Sequence, residues 1–372
     1  MEIRAGSSIN SISVSQRNPC FCCAAPANNR HSNHHYNWRS RMKIARRGLP
    51  KGWIGTWLFA LAAVTSAAQA AVLPGALVTP PWLHDHAKQV QIVDIRDSLG
   101  SLTNDPKYAT VNGQKVLEEV GGHIPDALSV NFWGLRQKHV IDGKAIDFML
   151  PTAKEFEETM QAVQLEPGKP IVIVPTGDDA TSLQEAAFFA WELQVFGVPQ
   201  EQIAILNGGM HAWTSAGYDV DTDAIAPMSS SKWKAQAPNP ALLATTAEVQ
   251  AAQRAHGLLL DARPLAQIAG LERTPVVPTA GRLAGASPLP AELLYRNADD
   301  GSWRFLSAHV YRKVLAGSGV QRVAPGIVYC NTGQYAAGAW FVIDRIMGRK
   351  GLREFPGGMN EWEQRGLPVV SF

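Results

Sequence analysis

The sequence predicts an α/β protein built from two tandem domains, each a parallel β-sheet with helices on both faces. Its strand-like runs, such as residues 171–174 and 326–329, are apolar without alternation, which is typical of strands covered on both sides. Segments with helix-capping signals separate these runs. Most of the motifs also occur twice, in the same order, within the 372 residues, which indicates a duplicated domain.

The first 70 residues are expected to lie outside the folded domains. Residues 42–70 begin with basic side chains, continue through an apolar stretch over residues 53–64 and end in an Ala-Gln-Ala cleavage site, as a secretory signal peptide does. We expect export to the periplasm with cleavage; the alternative is an uncleaved membrane anchor, because the apolar run extends to residue 72. Residues 1–41 precede a complete signal, so we interpret Met42 as the start of translation and the earlier segment as a mis-assigned extension.

Cleavage would change the net charge of the protein. The whole chain has a formal charge of +2, but nine of its 34 basic residues and one of its 32 acidic residues lie before residue 71, which leaves a charge of −6. A nucleic-acid partner would need a clustered basic surface and is therefore not expected. Stable insertion in a membrane is not expected after cleavage either.

Cys330 is the one cysteine that the cleaved protein would keep. The others, Cys20, Cys22 and Cys23, lie in the first 41 residues, where nearby histidines leave a metal-binding tract as an alternative, although the spacing fits no familiar zinc pattern. Without a second cysteine no internal disulfide can form. A single exported thiol is therefore either buried or used.

The two copies begin with the same elements. Each opens with a capped helix, at Thr79 and at Thr245, and continues into an apolar strand. Both strands end in an Asp-x-Arg sequence, at residues 94–96 and 261–263. A glycine-led motif follows, which reads GHIPDA from residue 122 and, more weakly, GRLAGA from residue 281.

The second part of each copy also repeats. A helix capped by Thr152 or Ser307 leads to a buried strand, a Thr-Gly pair and another helix, and a Gly-Gly-Met segment then ends at Trp213 or Trp362. We therefore expect two domains, over residues 75–225 and 241–372. Residues 226–240, which are rich in proline, serine and alanine, are the predicted linker.

Cys330 ends the second buried strand of the second copy. Ligands of open parallel sheets bind beyond the carboxyl ends of the strands. The Thr-Gly pair lets residues 331–335 curl and turn their backbone N–H groups inward, ahead of a helix predicted over residues 336–347. These groups would stabilise a thiolate and lower the pKa of Cys330. The alternative is that Cys330 is only a small apolar side chain that ends a core strand. When the two copies are aligned on their Thr-Gly pairs, Val174 of the first copy takes the position of Cys330.

Taken together, these motifs resemble those of the tandem-domain rhodaneses, the thiosulfate and 3-mercaptopyruvate sulfurtransferases. The resemblance covers nearly all of residues 75–372 and implies a non-catalytic first domain and a catalytic second domain. It implies that Cys330 takes a sulfur atom from a small donor, carries it as a persulfide and passes it to a thiol, to cyanide or to a protein acceptor. It implies no metal and no organic cofactor. The implied substrate-binding residues are Asn331, Thr332, Gly333, Gln334, Tyr335, Arg263 and Arg282.

The loop departs from the pattern of thiosulfate-using relatives. Gln334 and Tyr335 stand where those relatives have a basic residue, and Gln267 stands where they tend to have a second arginine. A dianionic donor would have to be bound by other cations, and each of these can instead be structural or a surface charge: Arg263, Arg273 and Arg282. Tyr335 is placed to stack on an organic donor or a protein acceptor.

A lone cysteine in such a loop is also compatible with two other functions. A phosphatase with a C-x5-R loop would need arginine at position 336, where the chain has Ala336, so this class is only weakly supported. A non-enzymatic sulfur-binding or protein-docking module remains the alternative to an enzyme.

Overall fold

The computed structural model describes residues 72–226 and 229–371 of the protein. The predicted N-terminal extension, the signal peptide and the cysteines before residue 24 lie outside the described residues. Among the residues described, no helix combines the length and the apolar composition needed to cross a bilayer.

The first half has a parallel sheet with the order β1-β9-β8-β2-β5 and two antiparallel hairpins, β3-β4 and β6-β7. Its strands are β1 (Leu77–Val78), β2 (Gln91–Arg96), β3 (Lys107–Val111), β4 (Gln114–Glu119), β5 (Leu128–Asn131), β6 (Gln137–Ile141), β7 (Lys144–Met149), β8 (Ile171–Val174) and β9 (Ile203–Leu206). Its helices are α1 (Pro80–His86), α2 (Ala153–Ala162), α3 (Ala180–Val195) and α4 (Gly209–Ser215).

The second half has a parallel sheet with the order β11-β10-β14-β15 and a β12-β13 hairpin. Its strands are β10 (Leu259–Asp261), β11 (Ser287–Pro288), β12 (Tyr295–Asn297), β13 (Trp303–Phe305), β14 (Gly326–Tyr329) and β15 (Leu352–Phe355). Its helices are α5 (Thr246–Arg254), α6 (Leu265–Ile268), α7 (Ala308–Gly317), α8 (Gln334–Trp340) and α9 (Gly358–Gln364). Phe341–Ile346 continues α8 as a π-helix, within the range predicted as one helix.

Both parallel sheets are covered on both faces, which confirms the predicted fold class. Ile173 on β8 and Val328 on β14 point into a central core, whereas their neighbours Val172 and Ile327 point into cores on the outer faces. Successive side chains of a strand alternate between its faces, so strands buried on both sides need apolar residues throughout. The unbroken apolar runs in the sequence have this cause.

The two sheets share the central core. Helices α3 and α8 pack against each other in it. Gly338 on α8 leaves room at this contact, because a Cβ atom there would lie 3.3 Å from Cγ of Gln184 on α3 and 2.1 Å from the hydroxyl oxygen of Tyr295. Both sheets belong to one compact unit.

The segment predicted as a linker packs on the first half. Trp233 is 4 % exposed and makes an edge contact with Phe156. The backbone N–H of Gln236 donates to the carbonyl of Phe196 at 3.0 Å. Apart from residues 227 and 228, which are not described, this connection is therefore an ordered part of the structure.

Each Asp-x-Arg sequence forms a buried clamp at the end of its strand. Arg96 donates to Asp94 at 2.7 Å and to the carbonyl of Gly122 at 2.6 Å. In the second half Arg263 donates to Asp261 at 2.7 Å and to the carbonyl of Gly281 at 2.8 Å. The clamps therefore tie β2 and β10 to the glycine-led motifs that follow them.

The two Gly-Gly-Met segments also match in structure. The indole N–H of Trp213 donates to the carbonyl of Asp219 at 2.8 Å, and that of Trp362 to the carbonyl of Pro368 at 2.9 Å. Both tryptophans are core residues. His211 in the first segment is 5 % exposed, because α4 is covered on both sides.

The hydrogen bonds correct one step of the alignment between the copies. Met359 N–H donates to the carbonyl of Cys330, and the equivalent Met210 N–H donates to that of Pro175. Pro175, and not Val174, therefore occupies the position of Cys330. The alignment shifts by one residue because four residues separate Pro175 from α3, whereas three separate Cys330 from α8.

Replacing Asp94 with alanine should destabilise the protein by about 3–5 kcal/mol, because Arg96 would stay buried without its anion. Urea unfolding measures this change. The exposed pair between Lys107 and Glu119 is the control, and Glu119→Ala should leave the free energy of unfolding close to that of the wild type. Equal losses in the two variants would contradict the role given to the buried clamp.

Candidate active site

Cys330 lies at the carboxyl end of β14, immediately before a tight loop and α8. It is the one cysteine among the described residues, and its thiol is free. The backbone N–H of Gly333 donates to its Sγ atom at 3.1 Å. The backbone therefore turns inward as the sequence predicted, although the Cys330 residue is only 1 % exposed.

The loop has this shape because of its glycine and its neighbours. Gly333 has φ +93°, and a Cβ atom there would lie 3.0 Å from Glu354 Oε1 and 3.1 Å from the carbonyl of Pro356. The side-chain amide of Asn331 donates to Gln267 Oε1 at 2.8 Å. Gln267, which the sequence marked only as a missing arginine, therefore holds the loop in place.

The environment raises the pKa of Cys330 above its ordinary value of 9.0, which corrects the prediction of a lowered value. Burial is the main cause, and the charge of Glu354 adds to it. The backbone N–H groups of Ala336 and Thr332 and the guanidinium of Arg136 act in the opposite direction. Because the thiol is desolvated, these groups reduce the cost of ionisation but do not remove it.

Arg136 comes from the first half and reaches this loop. Its Nη1 group donates to the carbonyl of Thr332 at 2.5 Å. The guanidinium carbon lies 4.3 Å from the ring centroid of Phe188 and 4.8 Å from that of Phe132, which is cation–π geometry. Its Nε and Nη2 atoms are buried and have no hydrogen-bond partner among the described residues. Arg136 thus places a positive charge near the thiol, with two donor atoms that make no hydrogen bond among the described residues.

Three buried carboxyl groups surround the same region. Glu192 and Glu354 are fully buried, and their carboxyl oxygens have no hydrogen-bond partner among the described residues. Burial raises the pKa of both well above the ordinary range and raises that of Glu185 to about 8. Each of the three interacts electrostatically with Arg136. These carboxyl groups compete with the thiol for the positive charge of Arg136. They therefore oppose the build-up of negative charge on Cys330.

The two arginines predicted to bind substrate, Arg263 and Arg282, already make other contacts in the structure. Arg263 is 2 % exposed, and its Nε and Nη2 groups are occupied by Asp261 and the Gly281 carbonyl. The backbone of Arg282 exchanges two hydrogen bonds with Val370. Gln334 and Tyr335 are half-buried in the first turn of α8. Binding of substrate by these residues remains a prediction.

Sequence reasoning missed Arg136 and the three glutamates. A signal for two of the glutamates was present, because α3 is apolar on all sides and is therefore a buried helix, and Glu185 and Glu192 lie on it seven residues apart. Arg136 follows the edge strand β5 and gave no local signal. In the described residues no group of three or more histidine, cysteine, aspartate and glutamate side chains is arranged to hold a metal ion.

The chain matches known sequences along most of its length. Residues 79–216 match the family of rhodanese-like domains. A putative thiosulfate sulfurtransferase of Haloferax volcanii is 24% identical over 300 residues, covering 79% of this chain and 95% of that protein. The sulfur carrier protein TtuD of Thermus thermophilus is 22% identical over 305 residues, covering 80% of this chain and 97% of that protein.

Solved structures share the fold at low sequence identity. The anaerobic ergothioneine biosynthesis enzyme from Chlorobium limicola, solved with trimethyl histidine, superposes with a TM-score of 0.61 at 18% identity, covering 80% of this chain and 70% of that one. Wild-type EanB gives a TM-score of 0.62 at 17% identity, with 80% and 69% covered. These structures therefore support the fold across both halves.

Substitutions of Arg136 and Glu354 should shift the reactivity of Cys330 in opposite directions. Arg136→Gln removes the cation and should slow alkylation of Cys330 by iodoacetamide at pH 9 severalfold, because a smaller fraction of the thiol is then ionised. Glu354→Gln removes an acidic group that opposes ionisation of the thiol and should speed alkylation. Peptide mass spectrometry against pH measures the rate at this thiol.

The exposed Glu158 on α2 supplies the control, and Glu158→Gln should leave the alkylation rate unchanged. If Arg136→Gln and Glu354→Gln changed the rate in the same direction, loosened packing would explain both and the electrostatic account would be wrong.

The stability of the protein should fall as the pH rises from 4.5 to about 8. Glu185 has an ordinary pKa of 4.5 when unfolded and about 8 when folded, so the protein favours its protonated form and loses that stabilisation as the pH passes through the folded pKa. Urea unfolding of Glu185→Gln over this range should show a smaller decline. A decline equal to that of the wild type would contradict this assignment.

Proposed function

We propose that this protein, whose residues 79–216 match rhodanese-like domains, is a sulfurtransferase in which Cys330 carries the sulfur atom as a persulfide. The observation that supports this most is the inward-facing Gly333 N–H at 3.1 Å from Sγ. A hydrogen-bond donor at this place stabilises negative charge on either the thiolate or the persulfide. Donors of the class of thiosulfate or 3-mercaptopyruvate fit this chemistry.

The transfer has two steps. The Cys330 thiolate attacks the outer sulfur of the donor; a bond between the two sulfur atoms forms, the bond to the rest of the donor breaks, and the leaving group keeps that electron pair. Thiosulfate would leave as sulfite. A thiol or cyanide then attacks the outer sulfur and leaves with it, which restores the thiolate. Neither step needs an external oxidant or reductant.

Arg136 would support both steps. Its Nη1 group donates to the carbonyl of Thr332. Its Nε and Nη2 atoms, which have no partner among the described residues, are available to an anion in the loop. The cluster of Glu185, Glu192 and Glu354 limits how much negative charge it can balance. Because Cys330 is 1 % exposed, a donor reaches Sγ only when the surrounding side chains move.

A second candidate is a non-enzymatic module that binds sulfur or docks a protein. The burial of Cys330 and its raised pKa favour this candidate, since both slow nucleophilic attack. Such a module would bind a sulfur species or a protein without multiple turnover.

Intact-mass analysis after incubation with thiosulfate or 3-mercaptopyruvate tests the proposal. The wild type should gain the mass of one sulfur atom, which cyanide should remove, and Cys330→Ser should gain none. Equal labelling of both proteins would overturn the role of Cys330. Labelling of the wild type without release to cyanide or a thiol would identify the non-enzymatic module instead.

A further inference from the structure

A groove of about 550 Å³ lies in the second half, away from the cysteine loop. It is formed by the end of α7, the loop before β14 and the end of the π-helix. Ala324, which lines the groove, lies two residues before β14 begins, whereas Cys330 follows the end of this strand. The groove and the thiol are therefore at opposite edges of the sheet. Three arginines line this arginine groove: Arg312, Arg322 and Arg349.

The part of the sequence that forms the arginine groove is strongly basic. Residues 301–350 contain seven basic side chains and one acidic side chain, and no aspartate or glutamate occurs over residues 301–343. Of the charge of −6 that residues 71–372 carry, this segment contributes +6, which leaves −12 for the remainder. The positive charge of an otherwise acidic domain pair is therefore concentrated in one segment, as expected of a surface that attracts anions.

The three arginines of the groove have no anion of their own. None of their guanidinium groups makes an ion pair or a hydrogen bond with any residue that the structure describes. Other cations of the segment are occupied, because Arg304 pairs with Asp300 and Lys350 pairs with Asp344. Cations near helix ends can also offset the helix dipole, but that role leaves the donor groups of these arginines unused. The groove therefore offers three guanidinium groups to an anion from outside the chain.

The floor of the arginine groove is apolar. Leu315 is 3 % exposed, and Val320, Val323 and Met347 are partly buried beside it. Met347 ends the π-helix, and π-helical turns are rare and frequently occur at functional sites. The unbranched methionine side chain adapts its shape to a group that packs on it. An occupant with an aliphatic group between carboxylates would therefore contact both the floor and the arginines.

The shape of the groove favours a peptide over other anionic partners. A membrane surface would need apolar side chains that protrude into the lipid, but no exposed large hydrophobic side chain of residues 72–226 or 229–371 lines the groove. A free phosphate ion would use the arginines and leave the apolar floor uncovered. The chain's own first 70 residues carry nine basic side chains and one acidic side chain, so the arginines would repel them.

We propose that the arginine groove docks an extended acidic segment of a partner protein, with an aliphatic side chain on the floor and carboxylates paired with Arg312, Arg322 and Arg349. The planar guanidinium group can form two parallel hydrogen bonds to a carboxylate, which favours this pairing. Strand β14, four residues or about 13 Å long, separates the groove from Cys330. The partner would therefore be held while the cysteine loop stays uncovered, and the inference does not depend on the proposed function.

Fluorescence anisotropy of a labelled peptide, Glu-Glu-Leu-Glu-Glu, with the full chain tests the inference. The wild type should bind this peptide, and added salt should weaken the binding. Arg312→Gln, Arg322→Gln and Arg349→Gln should each raise the Kd about fivefold, the effect of losing one exposed guanidinium–carboxylate pair. Replacing the leucine of the peptide with serine should weaken binding as well, because the floor then loses its apolar contact.

Arg254→Gln, at an exposed arginine on α5, is the matched control and should keep the wild-type Kd, as should Cys330→Ser. Absence of peptide binding, or an equal rise in Kd for Arg254→Gln, would overturn the inference. Two further results would overturn it by identifying another occupant. One is binding to phosphatidylglycerol vesicles and not to the peptide; the other is a dimer in sedimentation velocity that Arg322→Gln abolishes. None of these results bears on sulfur transfer, which the persulfide mass on Cys330 tests separately.

Discussion

Arg136 is held between the rings of Phe132 and Phe188 and donates to the carbonyl of Thr332. This interaction ties the edge of the first sheet to the cysteine loop of the second. It also places a buried positive charge where the thiol and three carboxyl groups need one. A buried cation without a fixed anion is costly, so its stability depends on how many of these acids are ionised at once. The packing of the two halves and the ionisation of the thiol are therefore linked.

The two copies show how one scaffold either carries or omits a thiol. In the first copy the backbone N–H of Gly177 is bound by the hydroxyl of Ser182 at 3.0 Å; in the second the N–H of Gly333 is bound by the sulfur of Cys330 at 3.1 Å. In each loop a nearby side chain thus accepts a hydrogen bond from an inward-facing backbone N–H group. Only in the second is that side chain a thiol. The first copy instead supplies Arg136 to the shared core.

The sequence contained enough information for the fold because its signals are local. The capping boxes at Thr152 and Thr245 and the continuous apolar strands all act within a few residues. It could not supply the site in full, because Arg136 lies 196 residues from Thr332 and meets it only through packing. The prediction of a lowered thiol pKa was wrong for a related reason. Loop geometry reveals donors, whereas the extent of desolvation depends on every element that covers the loop.

Burial of the thiol has two consequences for a sulfur carrier. It makes the free thiolate costly, because the donors around Sγ do not replace the lost water in full. It also excludes water and unselected thiols from a persulfide held in the same loop, which would otherwise lose its outer sulfur. Access to Sγ therefore requires that the side chains covering Cys330 move, since the residue is 1 % exposed.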